Sequence, residues 1–269
     1  MNQIAHIIHP VIVGNSSDLI IAQPITFETM RIAREFSIGT ADVRLYALQY
    51  HDEDRIPLPE CFTRVPDLKR SIHDVKNFKH RRKLALIKDI LDALYEACDA
   101  DYLIYTNVDI ALQPYFYRTV SNIINQGYDA FVINRRSIPD CYSTIDEIPL
   151  MYAETGEKHP GFDCFVFHRT LHDELNLGKI CIGTTKIGVT LIANLICKAK
   201  KFNLFENSHL TFHIGVVREW QDERFNDYVE HNEREALRIL TELKETYCRR
   251  FENSPLCMKH FNMLTKKYD

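Results

Sequence analysis

The stretch Tyr102 to Leu112, YLIYTNVDIAL, is an apolar run of strand character that breaks at Asn107-Val108-Asp109. On an extended backbone residues i and i+2 point the same way, so Asn107 and Asp109 would converge where a buried strand emerges. Two oxygen-bearing side chains at such a point can share one hard cation or hold sugar hydroxyls. Divalent ions such as Mg²⁺ and Mn²⁺ favour oxygen ligands and often share them with a substrate's phosphates. The plainer alternative is a strand closed by an Asx-type turn, which both residues favour.

A chain of 269 residues that is 45% hydrophobic can bury one large core. No linker, low-complexity tract or internal repeat divides it, which predicts a single domain. The net charge of −4 gives no reason to expect a nucleic-acid partner. No apolar run approaches the roughly 20 residues that span a bilayer, so no transmembrane segment is expected. The opening MNQIAHIIHPVIVG has neither a basic n-region nor a small-residue cleavage site. Eight cysteines are scattered without a CxxC pair, several in apolar stretches, which fits reduced thiols and argues against a zinc cluster. Together these features predict a cytoplasmic protein.

Strand and helix patterns alternate. Ile4 to Val13 reads as a buried strand with a bend at Pro10. Thr26 is expected to cap a helix ending near Phe36, and Val43 to Leu48 reads as a second strand. Leu84, Ile87, Ile90, Leu91 and Leu94 recur at helical spacing and predict a helix from about Arg81 to Cys98. Its opening, Lys79 to Lys83, would set cations against the helix dipole. That cluster is either a solvated face or a partner for an anion such as a diphosphate. A helix over about 114–126 should end at Gly127, followed by a strand over 129–134 that closes on Arg135-Arg136. Residues 137–160 read as a long irregular loop over a site. A strand over 162–167, a helix over 188–201 and a strand over 209–214 complete the core, followed by a charged helix over about 222–250 and a basic tail. This order predicts an α/β fold with a mostly parallel central sheet flanked by helices, and ligands at strand C-termini.

The unit RRKLALIKDILDALYEACDADYLIYTNVDI, followed by HPGFDCFVF (159–167) and HLTFHIG (209–215), resembles the GT-A fold glycosyltransferases of the nucleotide-diphospho-sugar transferase superfamily. The resemblance implies a single GT-A-like Rossmann-type domain, with a nucleotide-sugar-binding and catalytic core over 1–215 and a helical extension over 216–269. It implies a hexosyltransferase-like enzyme that uses a UDP- or GDP-sugar donor, a glycan or other hydroxyl acceptor, and Mn²⁺ or Mg²⁺. A noncatalytic nucleotide- or glycan-binding module of the same fold is the alternative. Asn107-Val108-Asp109 stands where the family carries Asp-x-Asp, so an amide replaces the first carboxylate and metal affinity should fall. Asp109 and His213 are then the metal ligands, with His209 a lesser candidate, and Asn107 meets the sugar or ribose. Asp163 matches the acid near the acceptor, which is a general base in inverting members and only holds sugar hydroxyls in retaining ones. Arg81, Arg82, Lys83 and Arg135 are candidate phosphate contacts, with Arg136 beside them. Asp18 and Trp220 are further candidates for contact with a nucleotide or sugar.

Overall fold

The computed structural model describes residues 1–15, 17–215 and 222–268. In chain order its elements begin with β1 (Asn2–Ile8), α1 (Leu19–Phe36), β2 (Ala41–Ala47), β3 (Phe62–Arg64), α2 (Ile87–Ala97), β4 (Tyr102–Thr106), β5 (Ala111–Leu112) and α3 (Phe116–Asn125). They continue with β6 (Ala130–Ile133), β7 (Arg136–Ile138), α4 (Ile148–Ala153), β8 (Glu157–Lys158), β9 (Cys164–His168), α5 (Ile187–Lys198), β10 (Phe202–Phe205) and β11 (Thr211–Ile214). Three helices close the chain: α6 (Asn226–Thr246), α7 (Cys248–Glu252) and α8 (Pro255–Tyr268).

Seven strands form the central sheet in the order β10-β6-β9-β4-β1-β2-β3. β1 runs parallel to both β2 and β4. β9 runs antiparallel to both its neighbours, with Cys164 opposite Thr106 of β4 and Ile133 of β6. The sheet is therefore parallel apart from one reversed strand, and that strand begins where two parallel strands end. Successive residues serve two cores. Ala5, Ile7, Leu103 and Phe165 pack under α2, α5 and α6, while Ile4, Ile8, Ile104 and Val166 pack under α1 and α3. Strands covered on both faces must be apolar throughout, which is why they read as continuous runs. A second sheet, β5-β11-β7-β8, lies beyond the C-terminal edge.

Several boundaries depart from the sequence reading. β1 stops at Ile8, because Pro10 offers no N–H to a ladder. The Gln23 side chain then holds Val11 through both its backbone groups, at 2.8 and 2.9 Å. That clasp sets the start of α1 at Leu19, with Asp18 as its cap residue. Thr26 is a buried interior residue of the helix. α2 begins at Ile87, so the run Lys79 to Lys83 lies in irregular chain and no dipole conflict arises. Leu86 bridges to Cys181 and the Tyr228 hydroxyl accepts the Arg82 N–H at 2.8 Å, which holds this segment out of the helix. The expected loop 137–160 contains β7, α4 and β8. The expected basic tail is helix α8, which packs on α6.

Two close contacts have testable consequences. Gly188, in the first turn of α5, lies so near the Phe162 carbonyl that a Cβ there would approach it to 2.8 Å. Gly188→Ala should cost about 1–3 kcal/mol by overpacking, outweighing the better helix propensity of alanine. A thermal denaturation midpoint at or above wild type would contradict this. His172 stacks on Tyr95 at 4.1 Å and lies 3.0 Å from Asp92 and 2.9 Å from Asp173. Burial alone would lower its pKa, but the two carboxylates outweigh that and hold it above the ordinary histidine value. The bracing is therefore complete below about pH 6.5 and is lost as pH rises through the raised value. The melting-temperature advantage of wild type over His172→Gln should shrink with rising pH. A constant difference would sink the assignment.

Candidate functional site

β1, β4, β6 and the reversed β9 all present an end at one edge of the sheet, and a cavity of about 1110 Å³ opens there. Of the candidates named from sequence, Asn107, Asp109, Arg81, Arg82, Lys83, Arg135, Asp163 and Asp18 line it. His213 lies directly behind Asp109, with Nε2 3.2 Å from Oδ2. Trp220 falls outside the described residues. Arg136 is turned away, bonded to the Thr155 and Gly156 carbonyls and to Asn207. His209 pairs with Gln113 at 3.2 Å and does not line the cavity.

Asn107 and Asp109 do not reach the cavity by strand alternation. β4 ends at Thr106, and the Ile110 N–H closes a turn onto the Asn107 carbonyl at 3.2 Å. The Asn107 Oδ1 accepts the Tyr105 hydroxyl at 2.8 Å, so that oxygen already has a donor. The turn leaves Asp109 facing β11 of the second sheet, which carries His213. The His213 Nδ1 lies 3.0 Å from the Gly215 carbonyl, and a carbonyl only accepts, so the proton sits on Nδ1. Gly215 provides this contact through a turn at φ +69°. In the neutral ring Nε2 then presents a lone pair to a carboxylate oxygen 3.2 Å away. Two acceptors at that distance need a proton or a cation between them.

Arg135 and Asp163 form the second pair. Arg135 follows β6 and Asp163 precedes β9, so the antiparallel register sets them side by side, with Nη1 and Oδ1 3.3 Å apart. Both are 7% exposed. Burial, aided by the nearby Asp109 charge, holds Asp163 above the ordinary carboxylate range despite Arg135. Asp109 is also deeply buried, but the hydrogen bond and charge that His213 supplies when its Nε2 carries a proton, together with Arg135, outweigh the desolvation and hold it below that range. Asp109 Oδ1, Asp163 Oδ2 and Arg135 Nε are buried without a hydrogen-bond partner among the described residues. Two neighbouring carboxylates pushed in opposite directions are suited to different tasks, one to remain charged and one to take up a proton.

The basic rim is partly committed. Lys83 pairs with Asp52 and lies 3.8 Å from Glu53 and 3.9 Å from the centre of the Tyr50 ring. The Arg82 guanidinium lies over Phe225 at 4.6 Å. Four basic lining residues were not singled out from sequence: His9, His159, Lys186 and His260. His159 lay within the quoted HPGFD motif, and burial, reinforced by Arg135, lowers its pKa to about 4. Lys186 adopts a left-handed backbone at φ 73°, and its ammonium lies 3.8 Å from Glu233. No local pattern marks it.

Among the described residues no group of three or more His, Cys, Asp or Glu side chains is arranged to hold a metal ion. Asp109 and His213 nevertheless fit a two-ligand site. Ligands about 2.1 Å from an octahedral ion at right angles stand about 3 Å apart, near the observed gap.

No family model and no curated relative matches this sequence. Among solved structures the chain is similar to S. aureus TarS 1–349 in complex with UDP-GlcNAc. The TM-score is 0.56 at 8% identity, covering 99% of this chain and 73% of that one. The uncomplexed TarS 1–349 gives 0.54 at 6% identity, covering 99% and 72%. The UDP complex gives 0.51 at 7% identity, covering 88% and 65%. At this identity the likeness concerns the fold alone: the chain has the GT-A fold of TarS, a GT-A-type glycosyltransferase.

Proposed function

We propose that this protein is a glycosyltransferase that moves a sugar from a nucleoside diphosphate donor to a hydroxyl acceptor. The observation that carries the reading is the meeting of Asp109, backed by His213, with the oppositely tuned Asp163 in one cavity, at the C-terminal edge of a mostly parallel sheet. The GT-A fold supports it, as does the presence of UDP-GlcNAc and UDP in the TarS complexes.

In this reading Asp163 Oδ2, the oxygen not facing Arg135, takes the proton of the acceptor hydroxyl as the new bond to the anomeric carbon forms. The bond from that carbon to the diphosphate breaks, and its electron pair leaves with the phosphate. Arg81, Arg82 and Lys83 face the departing charge, and Asn107 and Arg135 meet the donor's polar groups. Asp109 and His213 would hold Mn²⁺ or Mg²⁺, which when bound supplies positive charge beside the diphosphate. Arg135 orients the base, and burial around Asp163 keeps bulk water from competing for its proton.

UDP or GDP with Mn²⁺ should raise the melting temperature, by about 2.7 kcal/mol of stabilisation when ligand is a hundredfold above Kd. Asp109→Ala and His213→Ala should each lose the metal-dependent part. Equal stabilisation with and without Mn²⁺ in all three proteins would remove the metal from the reading. Asp163→Asn should bind UDP normally but transfer, or hydrolyse donor, about 10²–10⁴-fold more slowly. The acid limb of the wild-type pH profile should lie above the ordinary carboxylate range. Undiminished transfer in Asp163→Asn would sink its role as base. UDP binding without turnover of any nucleotide sugar would favour the noncatalytic binding module.

A further inference from the structure

We infer that His9 reads the nucleobase and selects one carrying an imino N–H (uracil, thymine or guanine) over cytosine or adenine. The assignment rests on the nucleoside diphosphate reading above. His9 directly follows β1, whose neighbours are β2 on one side and β4 on the other. α1, which leads from β1 to β2, packs on one face of the sheet, and α2, which leads into β4, packs on the other. The strand order reverses there, and nucleotides bind α/β sheets in the crevice outside such a reversal. His9 lines the cavity at that crevice while being only 4% exposed.

Three contacts fix what the ring can offer. Its Nδ1 lies 2.8 Å from the Leu48 carbonyl, which can only accept, so the proton is on Nδ1. The ring stands edge-on to Tyr50, with centroids 5.6 Å apart and planes at 84°, so its plane is set by packing. Nε2 has no hydrogen-bond partner among the described residues. Burial, together with the Lys83 charge and against the pull of the Leu48 carbonyl, lowers the ring's pKa to about 4. At neutral pH Nε2 is therefore a fixed acceptor whose partner must come from the cavity.

Uracil, thymine and guanine carry an N–H on the ring edge beside their carbonyls and can donate to it. Cytosine and adenine carry a lone pair at the corresponding ring nitrogen, so two acceptors would face each other. Their exocyclic amino groups reach the same point only if the base shifts by one position. A site that hydrogen-bonds one partner rejects the mismatched one because its buried polar group is left unpaired.

The test compares binding of UDP, GDP, CDP and ADP, with Mg²⁺, by calorimetry on the wild-type protein and on His9→Leu. UDP, GDP or both should bind roughly tenfold or more tightly than CDP and ADP. In His9→Leu the preference for the tighter of UDP and GDP over CDP and ADP should fall to within about threefold. CDP or ADP matching the tighter of UDP and GDP in wild type, or a preference undiminished in folded His9→Leu, would overturn the inference. Binding of none of the four would instead overturn the nucleoside diphosphate reading itself. Nitrogen NMR of the histidine-labelled wild-type protein needs no variant. The unprotonated Nε2 signal should move on adding the tighter-binding of UDP and GDP and stay unmoved with ribose 5-phosphate, whereas a protonated Nε2 or one indifferent to that nucleotide refutes the assignment.

Discussion

The site depends on keeping two carboxylates out of water a short distance apart. Desolvating an ion costs several kcal/mol even after relaxation, and two like charges add repulsion. The fold meets this by giving each acid its own cation-capable partner, drawn from different elements. Asp109 faces His213 across the gap between the main sheet and the second sheet, and Asp163 faces Arg135 across the β6–β9 ladder. The compensation is unequal. Asp109 is held ionised, while Asp163 stays raised because one guanidinium 3.3 Å away does not offset its burial. That inequality gives the pair two chemical roles instead of one.

The reversal of β9 makes the second pairing possible. Had β9 run parallel to β4 and β6, Asp163, which precedes it, would lie at the opposite edge of the sheet, a strand length from Arg135. Running antiparallel, Cys164 faces both Thr106 and Ile133, and the residue before it falls among those that follow β4 and β6. Gly188 contributes by letting α5 approach the Phe162 backbone, which fixes the chain entering β9. Strand direction, one ladder and one glycine thus position the acid.

Much of this was legible in the sequence, and the limits have physical causes. Apolar runs identified the strands because both sheet faces are covered, and the stripe Ile87, Ile90, Leu91, Leu94 identified α2 because one helix face is buried. Asp109 and Arg135 stood out because a polar residue at the end of such a run is conspicuous, whereas Asp163 stood out through the resemblance carried by HPGFDCFVF. Strand direction left no local trace, since a buried strand reads the same either way. Helix starts were misplaced where long-range contacts set them: Gln23 onto Val11 for α1, and residues 181 and 228 for the chain before α2. The two-residue strands β5 and β8 are too short to show a period. Asn107 was read as extended, but the turn closed by the Ile110 N–H aims it differently.

The C-terminal helices show why some lining residues have no signature. Glu233 of α6 accepts Lys267 at 2.5 Å and the Tyr268 hydroxyl at 2.6 Å through one oxygen, and its other oxygen faces Lys186 at 3.8 Å. Lys186 is held in a left-handed backbone that a non-glycine residue adopts only at a cost of order 1–3 kcal/mol. Its carbonyl accepts both the N–H and the hydroxyl of Thr190, which ties the strained residue to the first turn of α5. His260 of α8 reaches the same cavity. A cation at the cavity wall is thus anchored by an acid some 50 residues further along the chain, which is itself anchored by the last two described residues. Such a site is written in tertiary contacts, so only the assembled fold reveals that the extension forms part of its wall.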